Sequence, residues 1–187
     1  IFIFFALSVT TSCSLKFNKI PHVIIIAVEG LGVNQVDCLS ENSENIKSGF
    51  RMLCEKSIRF THAFTPSIQS SIALGSILTG KSSIEIKYQS PLKSVLPSTE
   101  VTIPEMLYQK NIPTAFFSGG PPILRRANLH QGFELFDDFF KPTIQRTFRP
   151  FSHLIPQYQA WLKDRSPKGE LSIFYISDLL YRDFQTF

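Results

Sequence analysis

Three stretches of this chain are apolar at nearly every position: His22 to Val28, Ile112 to Phe117 and Leu171 to Ser177. Unbroken runs rich in β-branched and aromatic residues predict parallel strands buried on both faces. Between them, apolar residues recur at helical spacing from Phe50 to Ser57, Ser70 to Leu78, Val101 to Gln109 and Phe151 to Lys163. Gly80 lies just past the second of these helices, where a left-handed residue is preferred, and Pro104 sits in the first turn of the third. Ile58 to Phe64 alternates apolar and polar residues, which predicts a further strand. Gly119-Gly120-Pro121-Pro122 breaks the chain, and Gly132 to Asp138 reads as a turn rich in acidic and aromatic residues. The alternation of strands and helices, with no internal repeat, predicts an α/β fold: a mostly parallel central sheet flanked by helices.

Composition narrows this picture only slightly. A chain of 187 residues with 43% hydrophobic content has enough material for a core. Its net charge of +4 comes from scattered Lys and Arg without a block of like charges, so nucleic acid is not indicated, and no protein partner is indicated either. Residues 1–15 read as the remnant of a signal, membrane or lipoprotein leader, since Ile1 to Val9 resembles an export h-region and Thr10-Thr11-Ser12 precede Cys13 as at a lipoprotein processing site. The expected location is therefore exported: periplasmic, extracellular or attached to a membrane through the N-terminus. Cys13, Cys38 and Cys54 lack metal-binding spacing, and Cys38 and Cys54 read as buried thiols.

The candidate chemistry lies at two element ends. Glu29 closes the first strand, where open α/β sheets gather ligands, and is a candidate metal ligand. Ser70 opens a helix, where unpaired N–H groups and the positive end of the macrodipole favour an alkoxide or an anionic ester. The residues alone leave a second reading of Ser70 open, as a helix N-cap.

The motifs resemble the N-terminal half of the sulfatase family, within the alkaline phosphatase superfamily. The resemblance runs through Val28-Glu29-Gly30-Leu31-Gly32, Arg59 to Ser67, Ser70 to Lys81, Thr102 to Leu107, Thr114 to Gly120 and Gly132 to Phe136, and covers about His22 to Asp178. It implies that residues 22–187 form the N-terminal portion of a sulfatase-like domain whose C-terminal part is missing. It also implies a divalent cation (calcium, manganese, magnesium or zinc) held by Glu29 and Ser70, with Ser70 as the nucleophile toward a sulfate or phosphate ester. In sulfatases the nucleophile stands ten residues before the final Gly of its segment, and counting back from Gly80 reaches Ser70.

Two departures from the sulfatase pattern stand out. Ile72 and Leu74 replace the Pro and Arg of the nucleophile segment, and Glu29-Gly30 replaces an Asp-Asp pair. A single Glu with an unmodified hydroxyl is similar to the phosphoglycerol and phosphoethanolamine transferases of the cell envelope, which are the alternative enzyme class. A truncated or degenerate domain without catalysis is the other alternative. Arg125 and Arg126 are candidate phosphate clamps, or else a solvated loop pair, and His130 is a candidate anion contact. Asp178 is a further candidate ligand, whereas Asp137 and Asp138 are expected to solvate a turn. His62 is expected to be structural, and none of His22, His62, His130 and His153 matches the family's remaining metal ligands.

Overall fold

Apolar runs suit strands paired in parallel, and those above supply three of the four found among the described residues. The computed structural model describes residues 20–32, 36, 49–60, 62–88, 94–139, 148–163 and 169–179. Strands β1 (His22–Val28), β2 (Thr114–Ser118), β3 (Leu135–Asp137) and β4 (Glu170–Ile176) pair in parallel in the order β1-β4-β2-β3. The helices are α1 (Gly49–Glu55), α2 (Ser70–Thr79), α3 (Ile103–Tyr108) and α4 (Phe151–Lys163). The α/β class and the mostly parallel sheet are those predicted.

Alternate residues of the central strands feed two separate cores, because successive side chains of a strand point to opposite faces. Phe116, Leu171, Ile173 and Tyr175 pack with Leu74 and Leu78 of α2, and with Ile103 and Leu107 of α3. Ala115, Phe117 and Phe174 pack with Leu154, Ile155, Tyr158 and Trp161 of α4. Stacked rings cross between strands on each side: Phe116 on Phe136 at 4.7 Å and Phe117 on Phe174 at 5.1 Å between centroids.

Local signals fix the helix ends. Thr102 caps α3 through a capping box, accepting from the Glu105 backbone N–H while the Glu105 carboxylate accepts from the Thr102 N–H at 2.7 Å. Gly80 ends α2 in the left-handed conformation, with φ of 69°, as its position predicts. At the start of α4 the Asp178 carboxylate accepts from the Phe151 N–H at 3.0 Å, so this candidate ligand is employed as a distant cap.

Four expectations are corrected. Residues 58–60 and 62–64 do not form the predicted strand: Ile58, Phe60 and Phe64 are 58%, 64% and 90% exposed, and alternation without strand pairing gives no ladder. Part of the predicted 132–138 turn is instead β3, three residues paired to β2 and too short to show a period. β1 is not buried on both faces; it edges the described sheet, with Val23, Ile24 and Ile26 about two-fifths exposed. Cys54 is disulfide-bonded rather than a free thiol. The expected leader and Cys13 lie outside the described residues, and no helix among the described residues is long and apolar enough to cross a membrane.

Candidate active site

β1 and β4 run side by side with Ala27 opposite Tyr175 and Val28 opposite Ile176. The ladder extends one residue past β1, since the Glu29 N–H donates to the Ile176 carbonyl at 2.8 Å. Glu29 is thereby held at the carboxyl end of the sheet, and Gly30, with φ of 74°, turns the chain away immediately after it.

Ser70 reaches the same point from α2. The loop before the helix is tied down locally: Thr65 Oγ1 donates to the Ser67 carbonyl at 2.8 Å, and Ser67 Oγ accepts from the Gln69 N–H at 3.0 Å. Ser83 Oγ adds a bond to the Pro66 carbonyl at 2.9 Å. Gln69 occupies the N-cap without a side-chain cap bond, so the reading of Ser70 as N-cap does not hold. Ser70 is the first helical residue, 8% exposed, and its Oγ donates to Glu29 Oε2 at 2.5 Å. A hydroxyl and a carboxylate so close, beside the orphan N–H groups of a helix start, place a proton donor, its acceptor and a site for negative charge together.

A third group completes the cluster. The Tyr175 hydroxyl donates to the same Oε2 of Glu29 at 2.8 Å. Tyr175 is fully buried, and its pKa is raised, first by burial and then by the neighbouring Glu29 charge and its hydrogen bond; the bond with Ser70 pulls the other way without prevailing. The phenol therefore remains a donor. Sequence reasoning missed it because the aromatic body sits inside the run Ile173-Phe174-Tyr175-Ile176 and reads as core. Its signal was the one hydroxyl in that run, close to the strand's carboxyl end.

The other candidates lie apart from this cluster. The Arg125 guanidinium donates to the Phe136 carbonyl at 2.8 Å, pairs with Asp138 at 3.4 Å and lies over the Phe136 ring. Arg126 is exposed, and His130 packs edge-on against Phe136. None of the three bonds Ser70 or Glu29 among the described residues. Asp137 and Asp138 do not merely solvate a turn: Asp138 also accepts from the Arg125 N–H at 2.7 Å, and Asp137 accepts from Arg149 at 2.9 and 3.0 Å. Arg149, 9% exposed, also donates to the Ser118 carbonyl at 2.9 Å and ties β2 to β3. It too escaped sequence reading; an Arg ahead of the Pro that precedes α4 was its only trace.

The family model for sulfatases matches residues 21–146, which contain β1, α2, Glu29 and Ser70. The chain belongs to the sulfatase family. No curated protein matches. The fold resembles that of BT4656, solved in complex with its substrate D-glucosamine-2-N,6-O-disulfate, with a TM-score of 0.67 at 18% identity; the match covers 85% of this chain and 34% of that one. The chain therefore spans about a third of that sulfated-sugar-binding protein. Where the sulfatase pattern has a second acidic residue beside the first, this chain has Gly30, and the Tyr175 hydroxyl approaches Glu29 from the neighbouring strand.

The described residues fit a divalent cation in type but not in number. Glu29 and Ser70 offer only oxygen, as a hard cation prefers, yet such ions take about six oxygen ligands. Among the described residues no group of three or more His, Cys, Asp or Glu converges. Substrate, water and further protein oxygens have to complete any shell.

Proposed function

We propose that this chain carries the nucleophile of a metal-dependent hydrolase that cleaves a sulfate or phosphate ester. The observation that carries the reading is the 2.5 Å bond from Ser70 Oγ to Glu29 Oε2 at the start of α2. Ser70 Oγ attacks the sulfur or phosphorus of the ester while its proton passes to Glu29 Oε2. The bond from that centre to the alcohol oxygen breaks, and the alcohol leaves with a proton from solvent. Water then attacks the modified serine and frees the hydroxyl. The helix start faces the ester's negative oxygens with unpaired N–H groups. Glu29 and Ser70 would hold the divalent cation that sulfatase-family members generally use, and it would supply charge stabilisation on the ester oxygens. Oxygen-only donors favour calcium, magnesium or manganese over zinc.

Sulfated sugars are the first substrates to try, given what BT4656 binds. An exported location is supported by the disulfide at Cys54, because such bonds persist in oxidising compartments. One observation favours a second reading, a phosphoglycerol or phosphoethanolamine transferase. Leu74, standing where sulfatases carry Arg, is fully buried against the sheet, so this position departs from the sulfatase pattern and brings no charge to the nucleophile.

The test compares wild type and Ser70→Ala on nitrophenyl sulfate and on a nitrophenyl phosphodiester. Turnover should fall by at least about 10³-fold in the variant, as loss of a nucleophile does. Unchanged rates in Ser70→Ala would remove Ser70 from the mechanism. Preference for the phosphodiester over the sulfate would favour the transferase. A folded wild type inert on both would favour a domain without catalysis.

A further inference from the structure

We propose that Phe64, Ile68 and Ile84 form an apolar rim beside Ser70 that takes an alkyl chain carried by the ester, so that the substrate is an amphiphile with an anionic sulfate or phosphate head. The proposal rests on the reading of Ser70 given above and names the substrate class of that same site.

At 90%, 99% and 91%, these are the most exposed large hydrophobic residues among the described residues. A single exposed apolar side chain needs no explanation, but a group of them next to a site does. Ile68 stands two residues before Ser70, within about 7 Å along the chain. The bond from Ser83 Oγ to the Pro66 carbonyl brings the turn that carries Ile84 against the loop that carries Phe64 and Ile68.

Both segments are pinned with these side chains pointing outward. Around Ile68, Thr65 Oγ1 donates to the Ser67 carbonyl, Ser67 Oγ accepts from the Gln69 N–H, and the Gln69 carbonyl accepts from the Ala73 N–H at 3.0 Å. Ile84 sits in a turn closed by the Glu85 and Ile86 N–H groups on the Ser82 carbonyl, and Ile86 is anchored in the core. With the backbone already fixed, a chain laid on the rim has little left to order.

Charge suits the same ligand. Between Glu55 and Glu85 the sequence has no acidic residue and three basic ones, Lys56, Arg59 and Lys81, the last paired with Glu100. The Glu85 carboxylate, next to Ile84, is turned onto the Ser82 N–H and hydroxyl at 2.8 and 2.6 Å. An anionic head can therefore approach the start of α2 while its chain lies over the rim. Three hydrocarbon side chains offer a sugar hydroxyl no partner, whereas each methylene they cover gains about fourfold in affinity.

The test compares ethyl and octyl sulfate, and ethyl and octyl 4-nitrophenyl phosphodiesters, below the concentration at which micelles form. Wild type should favour octyl over ethyl by about 15-fold in kcat/KM, the effect of covering about two methylenes. Ile68→Ser combined with Ile84→Ser, both at exposed positions, should cut that ratio to about twofold or less. Tyr108→Ser, which removes a 69% exposed ring from the end of α3 that leads to the opposite end of the sheet, should keep the wild-type ratio. A ratio near one in an active wild type, or an undiminished ratio in the double variant, would overturn the rim and leave the assignment of Ser70 intact.

A second readout needs no turnover. In Ile68→Cys, octyl sulfate should slow alkylation of the new thiol by iodoacetamide several-fold and ethyl sulfate should not, as followed by mass spectrometry of its peptide. A thiol that is unreactive without any ligand would show that another part of the protein covers the rim, and would overturn the proposal. Protection by octyl sulfate in a protein inert on all four esters would support the rim while removing the reading of Ser70. Inertness without protection would overturn both.

Discussion

The two ends of the β1/β4 pair carry the same chemical motif in different settings. At the carboxyl end Glu29 accepts from the Tyr175 hydroxyl; at the amino end Glu170 accepts from the Tyr158 hydroxyl. What differs is the second partner. Glu29 receives a serine hydroxyl from the start of a helix, whereas Glu170 receives the His22 imidazole at 3.0 Å from the neighbouring strand. Glu170 is 6% exposed and lies beside an apolar cavity of about 340 Å³ lined by Ile25, Leu78, Leu107 and Ile173 among others. Its partners His22 and Tyr158 come from a strand and from the middle of α4. A buried Tyr–Glu bond is therefore no mark of a site by itself; the mark is its place at the strand end where a helix N-terminus converges.

The comparison breaks or sharpens with paired substitutions. Glu29→Gln keeps an oxygen for both hydroxyls but removes the charge, so cation binding should weaken by more than the roughly 100-fold that loss of an outer partner costs. Turnover should vanish while the melting temperature stays near wild type. Glu170→Gln should do the reverse: a stability loss of about 1–3 kcal/mol, read from urea unfolding, with cation affinity unchanged. Equal effects of the two variants on cation binding would erase the distinction between the ends.

Arg149 supplies a second contrast within the carboxyl end. It is held by Asp137 and the Ser118 carbonyl, and Arg149→Leu leaves a mostly buried carboxylate without its cation. The expected cost is about 3 kcal/mol of stability, with the folded fraction binding calcium as wild type does. Loss of affinity in folded Arg149→Leu would move this residue from the scaffold to the site.

Much of the fold was legible because the signals were local. Continuous apolar runs located β1, β2 and β4, the apolar spacing from Val101 to Gln109 with Pro104 in its first turn located α3, and Gly80 stopped α2. Glu29 and Ser70 were put forward because each stands at an element end, and the structure brings the two side chains together. The rest depends on partners distant in sequence. An apolar run looks the same whether a neighbour covers it, so β1 read as central. A three-residue strand such as β3 has no period to read. Tyr175 and Arg149 are defined by what they touch: one reads as core, the other as a loop charge, until the register of β4 against β1 and of β3 against β2 is known.

Alkaline pH tests the two tyrosines together, with the smallest effect. Burial, followed by the hydrogen bond to Glu170 and its charge, pushes the Tyr158 pKa up to about 12; in the unfolded chain a tyrosine titrates near 10. Between those values the unfolded chain has shed a proton that the folded chain keeps. The unfolded state then binds fewer protons, so stability falls as pH rises. Below about 10 this contribution is fully present; it is lost progressively as pH climbs through about 12. Tyr88, pushed to about 12 by burial and then by Glu100, adds to the same decline. Urea midpoints followed from pH about 9 to about 11.5 should thus be flat and then fall, and Tyr158→Phe should make the fall shallower. Tyr175→Phe should do likewise, with its share of the decline reaching further into the alkaline range, because deeper burial and the Glu29 charge raise Tyr175 beyond Tyr158. An identical slope in wild type and Tyr158→Phe would mean that the amino-end phenol is hydrated in solution. The two ends would then differ in burial as well as in partner.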